Sequence, residues 1–267
     1  MPVELSSDKN DVSSFDMNWS SILNVKLDLL GLRGVSVAYD VCEQVGIKIT
    51  DIDLEDPLIY QNLYNLSNPH GLFQIEAETN FRVCQKVKPK DLDELSGVLA
   101  LARPGALAFV DQYANYTNNG VYDAIHPFFE DILASTGGVC LYQEQMMKMA
   151  NSVLEDSANY SFNKSHSISY AALSAITVYL KFKYPKEFFL SLLKMTRFEP
   201  DPIAEISKIQ RELNHFGIKL LPPHLIKSHM DFTTEGDDIR FGLLSIKGVS
   251  DKSIEKLYDF KKEYSTK

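Results

Sequence analysis

Residues 160–184, YSFNKSHSISYAALSAITVYLKFKY, decide how the chain is read. The stretch opens on a polar cluster, Asn163, Lys164, Ser165, His166 and Ser167, then turns apolar at helical spacing. Ile168, Ala172, Ala175, Ile176, Tyr179 and Phe182 fall close to the i, i+4, i+7, i+8 pattern that lines one helix face. The spacing predicts an amphipathic helix with Tyr179 and Phe182 among its least accessible side chains. A cationic, hydrogen-bonding cluster thus sits at a helix start, where unpaired backbone N–H groups favour anions. A plain helix cap, Ser165 or Ser167, with an incidental lysine and histidine accounts for the same residues. Pro185 ends the helix and can open the next.

Around this stretch, 267 residues give room for a sizeable core and one or two domains. Hydrophobic content of 45% and charge of 24% are those of an ordinary soluble globular protein. No apolar run has membrane-spanning length, and MPVELSSDKND lacks the basic-then-apolar pattern of a signal peptide. Cys42, Cys84 and Cys140 lie far apart, which suits a reducing cytoplasm and argues against structural zinc. The net charge of -9 counts against a simple electrostatic DNA binder, since phosphate neutralisation is the main source of non-specific affinity. It leaves room for local basic sites.

Local signals place the other elements. Residues 1–20 are polar and read as loop. Residues 25–30 alternate as a strand with Lys26 and Asp28 on one face, which on residues alone can be merely solvated. Asp51 and Asp53 sit in an acidic helix-start composition, with Asp56 as N-cap and Pro57 as first helical residue, and we assign them to structure rather than catalysis. Asp91 and Glu94 form a capping box. Residues 115–122 read as a surface loop, and Pro127 starts a helix through Ser135 that Gly137-Gly138 breaks. Asp201, Pro202 and Gly217 bracket a helix facing inward through Ile203, Ile206, Ile209 or Gln210, and Leu213. Residues 218–221 form a short strand, residues 231–244 a hairpin, and a helix follows from Asp251.

The polar cluster belongs to a larger pattern. FNKSHSISYA at 162–171, followed by YLKFKYPKEFF, resembles a segment of the bacterial C-family replicative DNA polymerases, the alpha subunit of DNA polymerase III. The family's other landmarks run in the same order: KLDLLGLR at 26–33, GLFQIEA at 71–77, ARPGAL at 102–107, GVCLYQEQMM at 138–147 and GIKLLPP at 217–223. Six ordered motifs from about residue 15 onward make the resemblance specific.

The resemblance implies template-directed nucleotidyl transfer with Mg²⁺ on primer–template DNA and dNTP, in the cytoplasm, with no membrane. It makes Asp28 the third catalytic carboxylate and a metal ligand, where two-metal phosphoryl transfer needs hard oxygen donors on a rigid strand. Lys26 would meet the triphosphate. Arg103, Gln143, Glu144, Gln145, Lys164 and His166 become candidates to face substrate or DNA, against the simpler reading of each as a turn or cap residue. Lys247 and Gly248 resemble the hairpin that offers backbone N–H groups to DNA phosphate, although Ser250 stands where the family has a second glycine.

Two departures qualify this. The family's upstream Asp-x-Asp pair, which completes the Mg²⁺ site, has no match in the sequence. The basic insertion whose arginines grip the nucleotide is also missing near 154–160, and no arginine lies between Arg103 and Arg197. The expectation is therefore a mainly α chain with a few short β-strands, a fingers domain. Residues 1–35 would be the polar N-terminus and palm remnant, 36–225 the fingers core, and 226–267 the hairpin and start of a helix-hairpin-helix region. Such a chain would be a polymerase fragment inactive alone. A non-catalytic interaction or split-subunit module, partnered by the rest of the polymerase as a separate chain, is the alternative.

Overall fold

The computed structural model describes residues 3–5, 11–13, 32–123, 126–153 and 164–250. The chain divides into two units, Met1–Leu32 and Arg33–Lys267. The first contains an antiparallel pair, β1 (Val3–Leu5) and β2 (Asp11–Ser13), in the stretch expected to be loop. The expected strand at 25–30, with Lys26 and Asp28, lies outside the described residues, as do the 154–160 junction and the helix from Asp251.

The second unit is mainly helical. Its helices are α1 (Arg33–Val45), α2 (Pro57–Tyr64), α3 (Glu78–Val87), α4 (Leu92–Leu101), α5 (Val110–Asn119), α6 (Glu130–Leu133), α7 (Gln143–Val153), α8 (Lys164–Lys183), α9 (Pro185–Met195) and α10 (Pro202–His215). A small sheet follows, from β3 (Leu220–Leu221), β4 (Thr233–Glu235) and β5 (Asp238–Arg240). Central β5 pairs parallel with β3 and antiparallel with β4. This sheet pairs β3, before the boundary expected between 225 and 226, with β5 after it.

Capping chemistry set the helix starts as the sequence implied. Asp56 accepts from the Leu58 N–H (2.9 Å), Asp91 from Glu94 (2.8 Å) and Asp201 from Ala204 (3.1 Å). Glu94 reaches back one residue further than a capping box requires, to the Lys90 N–H at 2.8 Å. Asp51 and Asp53 each accept a local backbone N–H, from Lys48 and Glu55, which fits their structural assignment. Residues 115–119 are helical rather than loop. Thr117 and Asn118 bind the Val87 and Lys86 carbonyls and pin α5 to α3, and the turn waits until Gly120, at φ 68°. The helix expected over 127–135 is instead two single turns of 3₁₀ helix around the four-residue α6.

Helix α8 lies against α1, α2, α4 and α9. One apolar cluster, built on α2 to α5, takes Ala171, Ala175 and Val178 from α8. A second, built on α1, α9, α10 and β5, takes Leu180. A helix enclosed from several directions has no simple polar face, and here the amphipathic reading fails. Of the six residues assigned to the apolar face only Ala175 is buried, while Tyr179 and Phe182 are half-buried. The buried stripe instead runs through Ser167, Ala171, Ser174, Thr177, Val178 and Lys181.

Small and hydroxylic residues let neighbouring backbone come close and satisfy it. Ser167 donates to the Ser96 carbonyl (2.8 Å) and Ser174 to that of Phe73 (2.9 Å). Thr177 accepts from the Phe73 N–H (3.2 Å). Gly71 completes the approach: at φ 79°, its missing Cβ leaves the room that Leu192 and Phe188 fill. On α10, Ile206, Ile209 and Leu213 are buried as expected, but Ile203 is 54% exposed because the first turn projects past the core.

Lys181 is fully buried. Its Nζ lies 2.8 Å from the Glu212 carboxylate and donates to the His70 (2.8 Å) and Asn68 (3.3 Å) carbonyls. Burial pulls its pKa down, against the pull of Glu212. The pair ties α8, α10 and the 68–71 loop together. Lys181→Met should cost about 3–5 kcal/mol in urea unfolding, because it strands a buried carboxylate, and Lys181→Met with Glu212→Leu should recover much of that loss. Equal destabilisation by the single and double variants would contradict the pairing.

A second network closes the same corner. Arg33 donates to Glu199 (2.6 Å) and Glu205 (3.2 Å), and the His70 Nε2 lies 3.2 Å from Glu205. Burial alone would raise the Glu205 pKa, but the charges of His70 and Arg33, with hydrogen bonds from Arg33 and Lys208, hold it below its usual value. Arg33 is the steadier charge, since burial pulls the His70 pKa down. The Glu205 contribution is therefore full above the unfolded carboxylate pKa, about 4.3, and fades as pH falls through the lower folded value. Arg33→Gln should start acid unfolding at higher pH by circular dichroism; an unshifted acid transition would remove Arg33 from this role.

Candidate functional site

Three segments far apart in sequence meet beside the N-terminal half of α8. The turn before α3 supplies Gln74, Ala77 and, from α3 itself, Asn80. The end of α4 supplies Leu99, Ala102 and Arg103, and α8 supplies His166 and Tyr170. Together they line an open cleft of about 380 Å³. The wall is aromatic and layered. Tyr170 stacks on Phe73 with ring centroids 5.3 Å apart and planes 9° from parallel, and His166 meets Tyr170 edge-on at 4.2 Å. Gln74 holds a left-handed backbone, φ 61°, that non-glycine residues adopt only when their surroundings enforce it. Here the Asn80 amide donates to its carbonyl at 2.6 Å, and Glu76 accepts from the Gly71 N–H at 3.1 Å. Exposed Arg103 sits at the cleft edge, and partial burial lowers its pKa without removing its charge.

The start of α8 is capped from another helix. The Glu144 carboxylate accepts the Lys164 N–H through both oxygens, at 3.0 and 3.1 Å. An anion at the positive end of a helix is the arrangement that backbone dipoles favour. Neither Ser165 nor Ser167 fills this place. The Lys164 ammonium lies 3.3 Å from Asp93 and 5.5 Å from the centre of the Tyr142 ring.

The candidates read from the sequence thus separate. Arg103 and His166 come together on the cleft. Lys164 stands at the N-terminus of the same helix, and Glu144 is engaged in holding that N-terminus. Gln143, half-exposed, opens α7. Gln145 faces inward: it is 7% exposed, accepts from the Leu141 and Tyr142 N–H groups and donates to Ile132 and Thr136. With its amide committed to four protein partners it cannot serve as a DNA-facing group, which corrects that expectation. Lys247 and Gly248 (φ 88°) are exposed on a separate hollow lined also by Arg197, Asp201 and Ile203. Lys26 and Asp28 lie outside the described residues. The sequence reading missed Tyr170 and Phe73; Tyr170, one helical turn after His166, was the available signal.

Among the described residues no three His, Cys, Asp or Glu side chains group to hold a metal ion, and no helix is long and apolar enough to cross a membrane. The described part of the chain therefore does not fit a metal centre by itself. The three cysteines are free, and burial raises all their pKa values, that of Cys84 to about 12, which makes them poor nucleophiles.

Comparison with known proteins converges on the same segments. Residues 32–172 match the family described as the bacterial DNA polymerase III alpha subunit finger domain, and residues 217–266 match a helix-hairpin-helix motif. The chain is 31% identical to the DNA polymerase III subunit alpha of Aquifex aeolicus, covering 90% of this chain and 25% of that protein. It is 30% identical to that of Mycoplasma genitalium (92% and 34%) and 28% to that of Halalkalibacterium halodurans (90% and 26%). The chain spans about a quarter to a third of the length of these relatives. The Aquifex alignment runs over 301 positions against 90% of 267 residues, so about 60 positions have no counterpart here.

Glu144→Ala should lower stability by about 1 kcal/mol, the usual worth of a helix N-terminal partner. Lys164→Ala keeps the capped N–H and removes an exposed ion pair with Asp93 and a long contact to the Tyr142 ring, so it should cost less, about 0.5 kcal/mol. Urea melts of the two variants check the order, and a costlier Lys164→Ala would contradict the capping role.

Proposed function

The chain belongs to the bacterial DNA polymerase III alpha subunit finger-domain family, and on that footing we propose that it is the fingers-centred part of a template-directed DNA polymerase. Its cleft beside α8 would face primer–template DNA or the incoming dNTP. The observation that carries this is convergence: the GLFQIEA, ARPGAL and FNKSHSISYA segments, separated by 20 to 60 residues of other sequence, line one cleft. Its chemistry suits the role. Arg103 offers a cation to a phosphate, His166 and the Tyr170 ring backed by Phe73 offer an aromatic surface for a base, and Gln74 and Asn80 add amides.

We further propose that the chain does not complete nucleotidyl transfer alone. Asp28 is a single carboxylate, whereas Mg²⁺ dehydrates reluctantly and such sites use several carboxylates with substrate phosphates. The family's Asp-x-Asp pair would have to come from elsewhere, for instance the rest of the polymerase as a separate chain. Loss of the basic insertion near 154–160 would weaken the grip on a triphosphate, which favours the second reading, a non-catalytic or split-subunit module. Bound Mg²⁺ would activate the primer 3′-OH and steady the leaving pyrophosphate; Lys26, Arg103 and Lys164 would only bind and orient. A cytoplasmic location accords with this role, as does phosphate contact by the Lys247–Gly248 turn.

Primer extension tests the proposal. The chain alone should give no template-dependent product. A fragment carrying the Asp-x-Asp strand should rescue little, and substantial rescue should require the basic segment restored as well. Extension by the chain alone, abolished by Asp28→Ala, would overturn the account.

A further inference from the structure

Helix α10 carries a second, basic edge that the cleft beside α8 does not include. Lys208, Arg211 and His215 recur at i, i+3 and i+7, beside the buried stripe of Glu205, Ile209 and Glu212. With Ser67, Asn68 and His70 from the facing loop they line a hollow of about 420 Å³. On a chain of net charge -9, this clustering is local and one-sided.

Of the two glutamates of α10, one is engaged away from this edge and the other offsets Lys208 only in part. Glu212 is buried against Lys181 at 2.8 Å. One oxygen of Glu205 serves Arg33 (3.2 Å), and the other lies 3.3 Å from Lys208. Arg211 is exposed and has no ion-pair partner among the described residues. The Asn68 side-chain oxygen accepts the His70 N–H at 3.1 Å, which turns its amide nitrogen, a donor, toward other partners.

We propose that this hollow binds the phosphodiester backbone of a single DNA strand. Seven residues of helix separate Lys208 from His215, about 10 Å. That length suits successive phosphates rather than one small anion. Guanidinium and ammonium supply the charge, while Asn68 and Ser67 supply neutral donors without reading sequence. The inference rests on the nucleic-acid role proposed above and extends it to a second surface.

The test is fluorescence anisotropy of the full 267-residue chain with a labelled oligo-dT strand across a salt series. Lys208→Gln with Arg211→Gln should weaken binding about tenfold at low salt and flatten the log Kd against log salt slope by about 1.4, near 0.7 per lost phosphate contact. Because Lys208 also pairs with Glu205, Arg211→Gln alone is the cleaner variant, with about half the change in slope; circular dichroism melts verify folding. Wild-type affinity and slope in both variants would overturn the inference. So would loss of dTTP binding with strand binding intact, which would put a nucleotide in the hollow. Arg103→Gln separates the two readings: if it weakens strand binding while the α10 variants do not, only this inference falls, and if neither matters, both fall.

Discussion

Close approach of backbone to a helix enclosed from several sides governs this structure. Helix α8 must pack against α1, α2, α4 and α9 and contribute to two apolar clusters, so bulky side chains cannot occupy its buried stripe. Serine, alanine and threonine fit there, and their hydroxyls answer carbonyl and N–H groups that would otherwise be buried unpaired. The same contacts fix Phe73, whose ring carries the stacked wall of the cleft. Core packing and the shape of the candidate site are thus one arrangement seen from its two sides.

Only part of this was legible in the sequence. Local chemistry was: Asp56 before Pro57, Asp91 before Leu92 and Asp201 before Pro202 each act on N–H groups of the first turn of their own helix. Helix α8 was not, because a periodicity argument assumes one apolar and one wet side. Tyr179 and Phe182 were assigned to the core by their helical spacing. They sit at its margin, because the tight interior stripe belongs to Ser174, Thr177 and Lys181. Residues 115–119 were misread for a related reason: asparagines there signal a loop locally, but the Asn118 amide and the Thr117 hydroxyl are bonded to α3.

The site shows the same division. Motif resemblance offered Arg103 and His166 as separate candidates, and it is the fold that brings them to one cleft although 63 positions separate them. It could not tell apart three successive polar residues at 143–145, since their directions depend on the following helix. Glu144 points to α8 and Gln145 into the interior. The stack of Tyr170 on Phe73 needed the fold, because its partners lie 97 residues apart.

The uneven charge of the molecule has a consequence for orientation. A body of net charge -9 is repelled as a whole by a polyanion, while the edge of α10 bearing Lys208, Arg211 and His215 is attracted. The two effects act at different ranges and exert a torque, so the chain should turn before it touches and arrive edge-first. Repulsion from the remaining surface then disfavours lying flat, and alignment is gained without large affinity. Because ions screen both effects within about 8 Å at physiological strength, this alignment is made late, over roughly the width of one helix.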